Sequence, residues 1–125
     1  MTYQISQQFF FDAAHTLKRE TETDPRADES RRIHGHTYNA EITLSGQPDP
    51  ATGMVLDLGR VRAAIDTLRP QLDHRMLDDV PGLGTATLEN LCAYIWRAIE
   101  PTLPGLAAVR VWRAGMGDSC TLTAA

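Results

Sequence analysis

Ile33-His34-Gly35-His36-Thr37-Tyr38, continuing as Asn39-Ala40-Glu41-Ile42-Thr43-Leu44-Ser45, is the stretch on which the fold turns. Tyr38, Ala40, Ile42 and Leu44 alternate with Thr37, Asn39, Glu41, Thr43 and Ser45, the two-residue period of a half-buried strand. In an extended chain His34 and His36 then point the same way, about 7 Å apart, at the end of the apolar face. Gly35 between them leaves room for close approach of backbone or substrate.

A second stretch, Ile5 to His15, repeats the arrangement. Ile5, Phe9, Phe11, Ala13 and His15 share one face, with Gln7 the one polar member. Pairing the two strands antiparallel would bring three imidazoles to one ion, the protein-ligand count of a catalytic zinc site with an open fourth position. An isolated His-x-His can equally be two histidines at a core edge, and the strand pattern alone leaves both readings open.

Working outward, residues 18 to 32 form a long polar loop between the two strands, placed so that it could fold over an ion. Pro48 to Gly53 reads as a turn. Met54-Val55-Leu56 is expected as a short extended piece ending at Asp57, a helix N-cap for Leu58, Val61, Ile65 and Leu68 at helical spacing. Pro70 is expected to end that helix. Asp73-His74 follows, then a Pro- and Gly-containing loop from Asp78 to Gly84. Thr87 is an N-cap and Glu89 suits the first turn of a second helix with the stripe Leu88, Leu91, Cys92, Ile95 and Ile99. Two strands, about 107–114 and 119–123, close the chain. Strand, strand, helix, helix, strand, strand favours one α+β domain over residues 1–125, an antiparallel sheet with both helices on one face. The other face needs a cover, and self-association is the natural one.

The formal charge of −4, the pI near 5.5 and the absence of a basic run beyond Arg31-Arg32 give no footprint for nucleic acid or an anionic membrane. A small-molecule partner is expected. Cys92 and Cys120 are too few for a disulfide framework and read as reduced thiols. With neither a secretory leader pattern nor an apolar span of membrane length, the cytoplasm is the expected location.

Taken together, Phe11-Asp12-Ala13-Ala14-His15, His34-Gly35-His36-Thr37-Tyr38, Asp49 to Val55, Leu72-Asp73-His74 with Leu77, and Thr87-Leu88-Glu89-Asn90 leading into Ala93-Tyr94-Ile95-Trp96 resemble the 6-pyruvoyltetrahydropterin and 6-carboxytetrahydropterin synthase family. The pieces occur in family order across nearly the whole chain. The resemblance implies the tunnelling fold, in which four-stranded sheets of three subunits join into a barrel and two trimers stack as a hexamer. It implies zinc on His15, His34 and His36, with Asp73 orienting His74 as general acid/base. Substrate binding would fall to Thr87, Glu89 and the residue at position 113. Family members act on dihydroneopterin triphosphate. Zinc acidifies the side-chain hydroxyls, and a cysteine tuned by the Asp-His pair moves protons so that triphosphate leaves and the side chain rearranges or is cleaved.

Two departures bear on substrate. The family cysteine lies a few residues before His-x-His, where this chain has Glu29 and Ser30. A serine hydroxyl is far less acidic than a thiol, whose pKa is about 8.5, so it shuttles protons poorly without a base. Some relatives use glutamate there and cleave by an aldol-type step. Second, the family's pterin-anchoring glutamate on the penultimate strand corresponds to Arg113, which offers donors and no acceptor and would suit a carboxylate or phosphate. Ala86, where proline or a small polar residue is usual, is a lesser change. The expectation is a zinc-dependent lyase of this type whose substrate has drifted, with the ordinary synthase and a non-catalytic zinc-containing binding barrel as the competing readings.

Overall fold

The computed structural model describes residues 1–16 and 32–125. Two long strands, β1 (Tyr3–His15) and β2 (His34–Gly46), pair antiparallel without interruption, from Tyr3 opposite Gly46 to His15 opposite His34. The period-2 pattern sets this register, since a slip of one residue would expose every apolar side chain. Phe11, Ala13, Tyr38, Ala40, Ile42 and Leu44 are accordingly buried on one face, and Phe11 stacks on Tyr38 with ring centroids 5.2 Å apart.

Between the strand pairs come α1 (Leu58–Leu68), a single 3-10 turn at Arg69–Gln71, the two-residue strand β3 (Arg75–Met76), a second such turn at Leu77–Asp79, and α2 (Leu88–Ile99). The chain then returns as β4 (Leu106–Arg113) and β5 (Ser119–Thr123), and the sheet order is β3-β1-β2-β4-β5. Both helices carry the expected caps: Asp57 accepts from the Gly59 N–H at 2.8 Å and Thr87 from the Asn90 N–H at 3.1 Å. They bury Val61, Ile65 and Leu68 from α1, and Leu91, Cys92, Ile95 and Ile99 from α2, against the apolar face of the sheet.

The α+β architecture with a sheet and two helices stands, with two local corrections. The sheet has five strands rather than four, because β3 pairs parallel with Ala13 and Ala14 at the edge of β1. Two residues carry no periodic signal, so this strand is set by tertiary contact alone. Met54-Val55-Leu56 is a bend, not an extended strand. The backbone of Met54 closes the preceding turn, where Asp49 N–H donates to the Met54 carbonyl at 2.9 Å and Met54 N–H donates to Thr52 Oγ1 at 3.2 Å.

At the start of β4, Gly105 has φ +83° and a Cβ there would lie 2.8 Å from the Ser45 carbonyl oxygen, so glycine is required by both conformation and space. No described helix is long and apolar enough to cross a membrane. On the sheet face away from the helices, Phe10 is half exposed, with the Arg69 guanidinium 5.0 Å above its ring.

Candidate functional site

The register that places His15 opposite His34 and Ala13 opposite His36 turns all three imidazoles to the helix-covered face. Their ring centroids lie 4.5, 4.9 and 5.1 Å apart, and one ligand atom from each falls within 4.8 Å of the others. His15 is buried, with Nδ1 3.3 Å from the Ala86 carbonyl oxygen, and His34 Nδ1 is 2.7 Å from the Arg32 carbonyl oxygen. A carbonyl only accepts, so each Nδ1 carries the proton and each Nε2 presents a lone pair.

Among the described residues, His15 Nε2 and His36 Nε2 are buried without any hydrogen-bond partner. Burial, then the charge of Arg113 and the neighbouring histidines, pushes His36 down to about 4, and burial followed by His34 lowers His15 as well. Near neutral pH these are neutral bases gathered in a buried corner with unused lone pairs. The donor set, its spacing and its orphaned atoms fit a divalent ion of the zinc type.

Asp73 and His74 are brought together elsewhere. Asp73 Oδ1 accepts from the Asp12 N–H at 2.9 Å, its Oδ2 lies 3.3 Å from Arg69 Nη2, and His74 Nε2 is 3.6 Å from the same Oδ2. His74 has φ +58°, held by its N–H donating to the Asp12 carbonyl at 2.7 Å, and its side chain is 81% exposed. Its imidazole gathers with the carboxylates of Asp73 and Asp12, the last of which accepts from Thr37 Oγ1 at 2.5 Å. Asp12 and Thr37 face each other across β1 and β2, one residue out of step with the three histidines, hence on the opposite face of the sheet. Within one chain the histidine triad and the Asp12 carboxylate, beside which Asp73 and His74 gather, therefore lie on opposite faces of the same two strands, and one groove is lined by both His36 and His74. Grooves of about 560 and 580 Å³ meet at His74.

Arg113, opposite Tyr38 across β2 and β4, lines a smaller cavity of about 210 Å³ with His15, Tyr38, Thr87, Glu89 and Asp118. Its guanidinium is not bare. Nε donates to Asp118 Oδ1 at 3.4 Å and Nη2 donates to Oδ2 of the same carboxylate, which holds the Asp118 carboxyl below the usual range. Asp118 was not singled out from sequence, nor were Asp12 and Thr37. The turn residues Gly115 and Gly117 were the available signal that the chain folds Asp118 back onto Arg113. Glu29 and Ser30 lie outside the described residues.

The sequence profile described as 6-pyruvoyl tetrahydropterin synthase matches residues 4–124. The chain is 33% identical over 114 residues to the 6-pyruvoyl tetrahydrobiopterin synthase of Homo sapiens, covering 81% of this chain and 77% of that protein. It is 32% identical over 126 residues to the 6-carboxy-5,6,7,8-tetrahydropterin synthase of Synechocystis sp., covering 96% of this chain and 89% of the relative. In fold it is similar to Caenorhabditis elegans 6-pyruvoyl tetrahydropterin synthase, with a TM-score of 0.83 at 24% identity, covering 100% of this chain and 97% of the other.

Proposed function

Because this chain belongs to the 6-pyruvoyl tetrahydropterin synthase family, whose members named above are pterin synthases, we propose that it is a zinc-dependent lyase acting on the side chain of a pterin-like small molecule. The observation that carries the reading is the triad of His15, His34 and His36, in which the buried Nε2 atoms of His15 and His36 have no partner among the described residues. These three residues would hold zinc. Bound there, zinc would polarise a substrate oxygen and make its proton easier to remove.

The other steps belong to side chains. His74 is the general acid/base, exposed enough to meet a substrate. Asp73 orients its ring and favours its charged form. Glu29 or Ser30 assists proton transfer in place of the absent thiol. Thr87, Glu89 and Arg113 bind substrate at the small cavity. The missing thiol and the missing strand glutamate together favour a substrate that has drifted from dihydroneopterin triphosphate.

His74 gathers with the Asp12 carboxylate, on the sheet face opposite the triad, which favours a complete site that takes the triad from one copy and Asp73–His74 from another. Such sharing supports a homo-oligomer, a trimer or hexamer of this single domain. The exposed Phe10 on the uncovered sheet face is consistent with that assembly.

The test is incubation of zinc-loaded protein with a panel of dihydropterins, including dihydroneopterin triphosphate, with products separated by chromatography. Expected is zinc-dependent cleavage or rearrangement of a panel member's side chain. His74→Ala should lower it by about 10²–10⁴-fold with metal content unchanged. Brisk turnover of dihydroneopterin triphosphate to a 6-carboxy- or 6-pyruvoyl product would overturn substrate drift and restore the ordinary synthase reaction. Ligand binding that survives His74→Ala, with no turnover of any panel member, would make the protein a binding barrel instead.

A further inference from the structure

Two sulfur atoms that take no part in the proposed chemistry meet inside the fold. Cys92 lies on the buried stripe of α2 with Leu91, Ile95 and Ile99, and Cys120 lies on β5 opposite the fully buried Val111. Strand alternation exposes Ser119 and Thr121 and turns Cys120, with Leu122, toward the helices. The Cys92 thiol accordingly reaches β5, where Sγ donates to the Cys120 carbonyl oxygen at 3.4 Å, and both cysteines are free thiols.

The pair is asymmetric. Cys92 is buried, whereas Cys120 is partly exposed. Burial first, then the Cys120 thiol beside it, pushes the Cys92 thiol up to about 12, so near neutral pH Cys92 is no nucleophile on its own. The part of that rise that comes from Cys120 ends once the Cys120 sulfur is bonded to another group. An oxidant thus meets Cys120 first, and Cys92 is held within reach of the product, where proximity makes up for low acidity.

We propose that Cys92 and Cys120 form a reversible oxidation site that takes a low-molecular-weight disulfide of the glutathione type and closes into an intrachain disulfide. The Cys120 thiolate attacks one sulfur of the oxidant, whose S–S bond breaks, and the first glutathione leaves as a thiolate. Cys92 then gives up its proton and attacks the Cys120 sulfur, displacing the second. The two protons lost by the protein thiols end on the two glutathiones, and two electrons pass from protein to oxidant. The bond joins two walls of the small cavity: Cys92 is one turn beyond Glu89 on α2, Cys120 is two residues beyond Asp118, and both Glu89 and Asp118 line it. Closure therefore locks α2 to β5 at that cavity. The inference goes beyond the lyase reading and stands independently of it.

The experiment treats the intact, zinc-loaded chain with excess glutathione disulfide at mildly alkaline pH and follows intact mass and free thiols. The wild type is expected to lose two hydrogens and both free thiols, and dithiothreitol should restore them. Cys92→Ala should stop at a stable glutathione adduct on Cys120. Cys120→Ser should take up no glutathione, because the thiol that remains is buried. Amide hydrogen exchange in the first turn of α2 and in β5 should slow in the oxidised wild type.

Two free thiols in the wild type after prolonged exposure would overturn the assignment. So would a glutathione adduct on Cys120 that does not close, closure only in denaturant, or a disulfide joining two chains on a non-reducing gel. Hydrogen exchange equal in the two redox forms would overturn the locking of α2 to β5. An internal disulfide formed in a protein that turns over no dihydropterin would uphold this site while sinking the lyase reading, so the two fail separately.

Discussion

His36 is the residue at which stability and acidity meet and, on the proposed function, metal affinity with them. In the metal-free protein its folded pKa of about 4 lies below the ordinary imidazole value of about 6.5, through burial first and the Arg113 charge second. Between those values the unfolded chain binds more protons than the folded one. Stability is therefore full above about pH 6.5, falls as the pH drops toward 4, and levels off below. Thermal melting of chelator-treated protein in steps from about pH 7.5 to about 4 should show this fall. His36→Asn should show a shallower one, and parallel curves for the two proteins would contradict the account. With metal restored, the wild type should carry one zinc per chain by elemental analysis, and His34→Ala and His36→Asn far less, since three ligands leave no spare. These three imidazoles were legible in the sequence because each ends an apolar alternation. The partner of Arg113 was not, because Gly115 and Gly117 mark a turn without stating which side chain its one carboxylate meets.

At the scale of elements, the ends of helices and strands hold the site in position. Thr87 caps α2 beside the cavity while Ala86, one residue earlier, gives its carbonyl to His15. Thr87→Ala should lower unfolding free energy by about 1 kcal/mol in urea titration, and it should also loosen the contact that sets the His15 tautomer. No change in stability would show that the cap hydrogen bond is not made. Gly105→Ala should destabilise by more than about 1 kcal/mol, because the new Cβ meets the Ser45 carbonyl oxygen at 2.8 Å with φ at +83°. A melting temperature equal to that of the wild type would refute it. Both helices and four of the five strands could be read from periodicity and caps, with limits near the observed ones. β3 could not, since two residues beside Asp73–His74 are too few to show a period. Met54 to Leu56 misled for the converse reason: three apolar residues look extended, yet the turn before them takes up the backbone hydrogen bonds of Met54.

For the whole molecule, the division of chemistry between the two faces of β1 and β2 has the largest consequence. The family resemblance implied that triad and acid/base pair act together, and the sequence gave no means of knowing that Asp73 and His74 gather with the Asp12 carboxylate. If a site is shared between copies, His36→Asn and His74→Ala are each inactive alone, but denaturing them together and refolding the mixture should restore part of the activity. A mixture as inactive as its components would refute sharing. The unbroken thirteen-residue ladder that achieves the division also limits how this gene can change. Deleting one codon between His36 and Tyr38 would keep every hydrophobic residue yet turn the two histidine side chains outward relative to the core. Length polymorphism among descendants of this chain should accordingly fall in the connections, with the paired strands admitting replacements only.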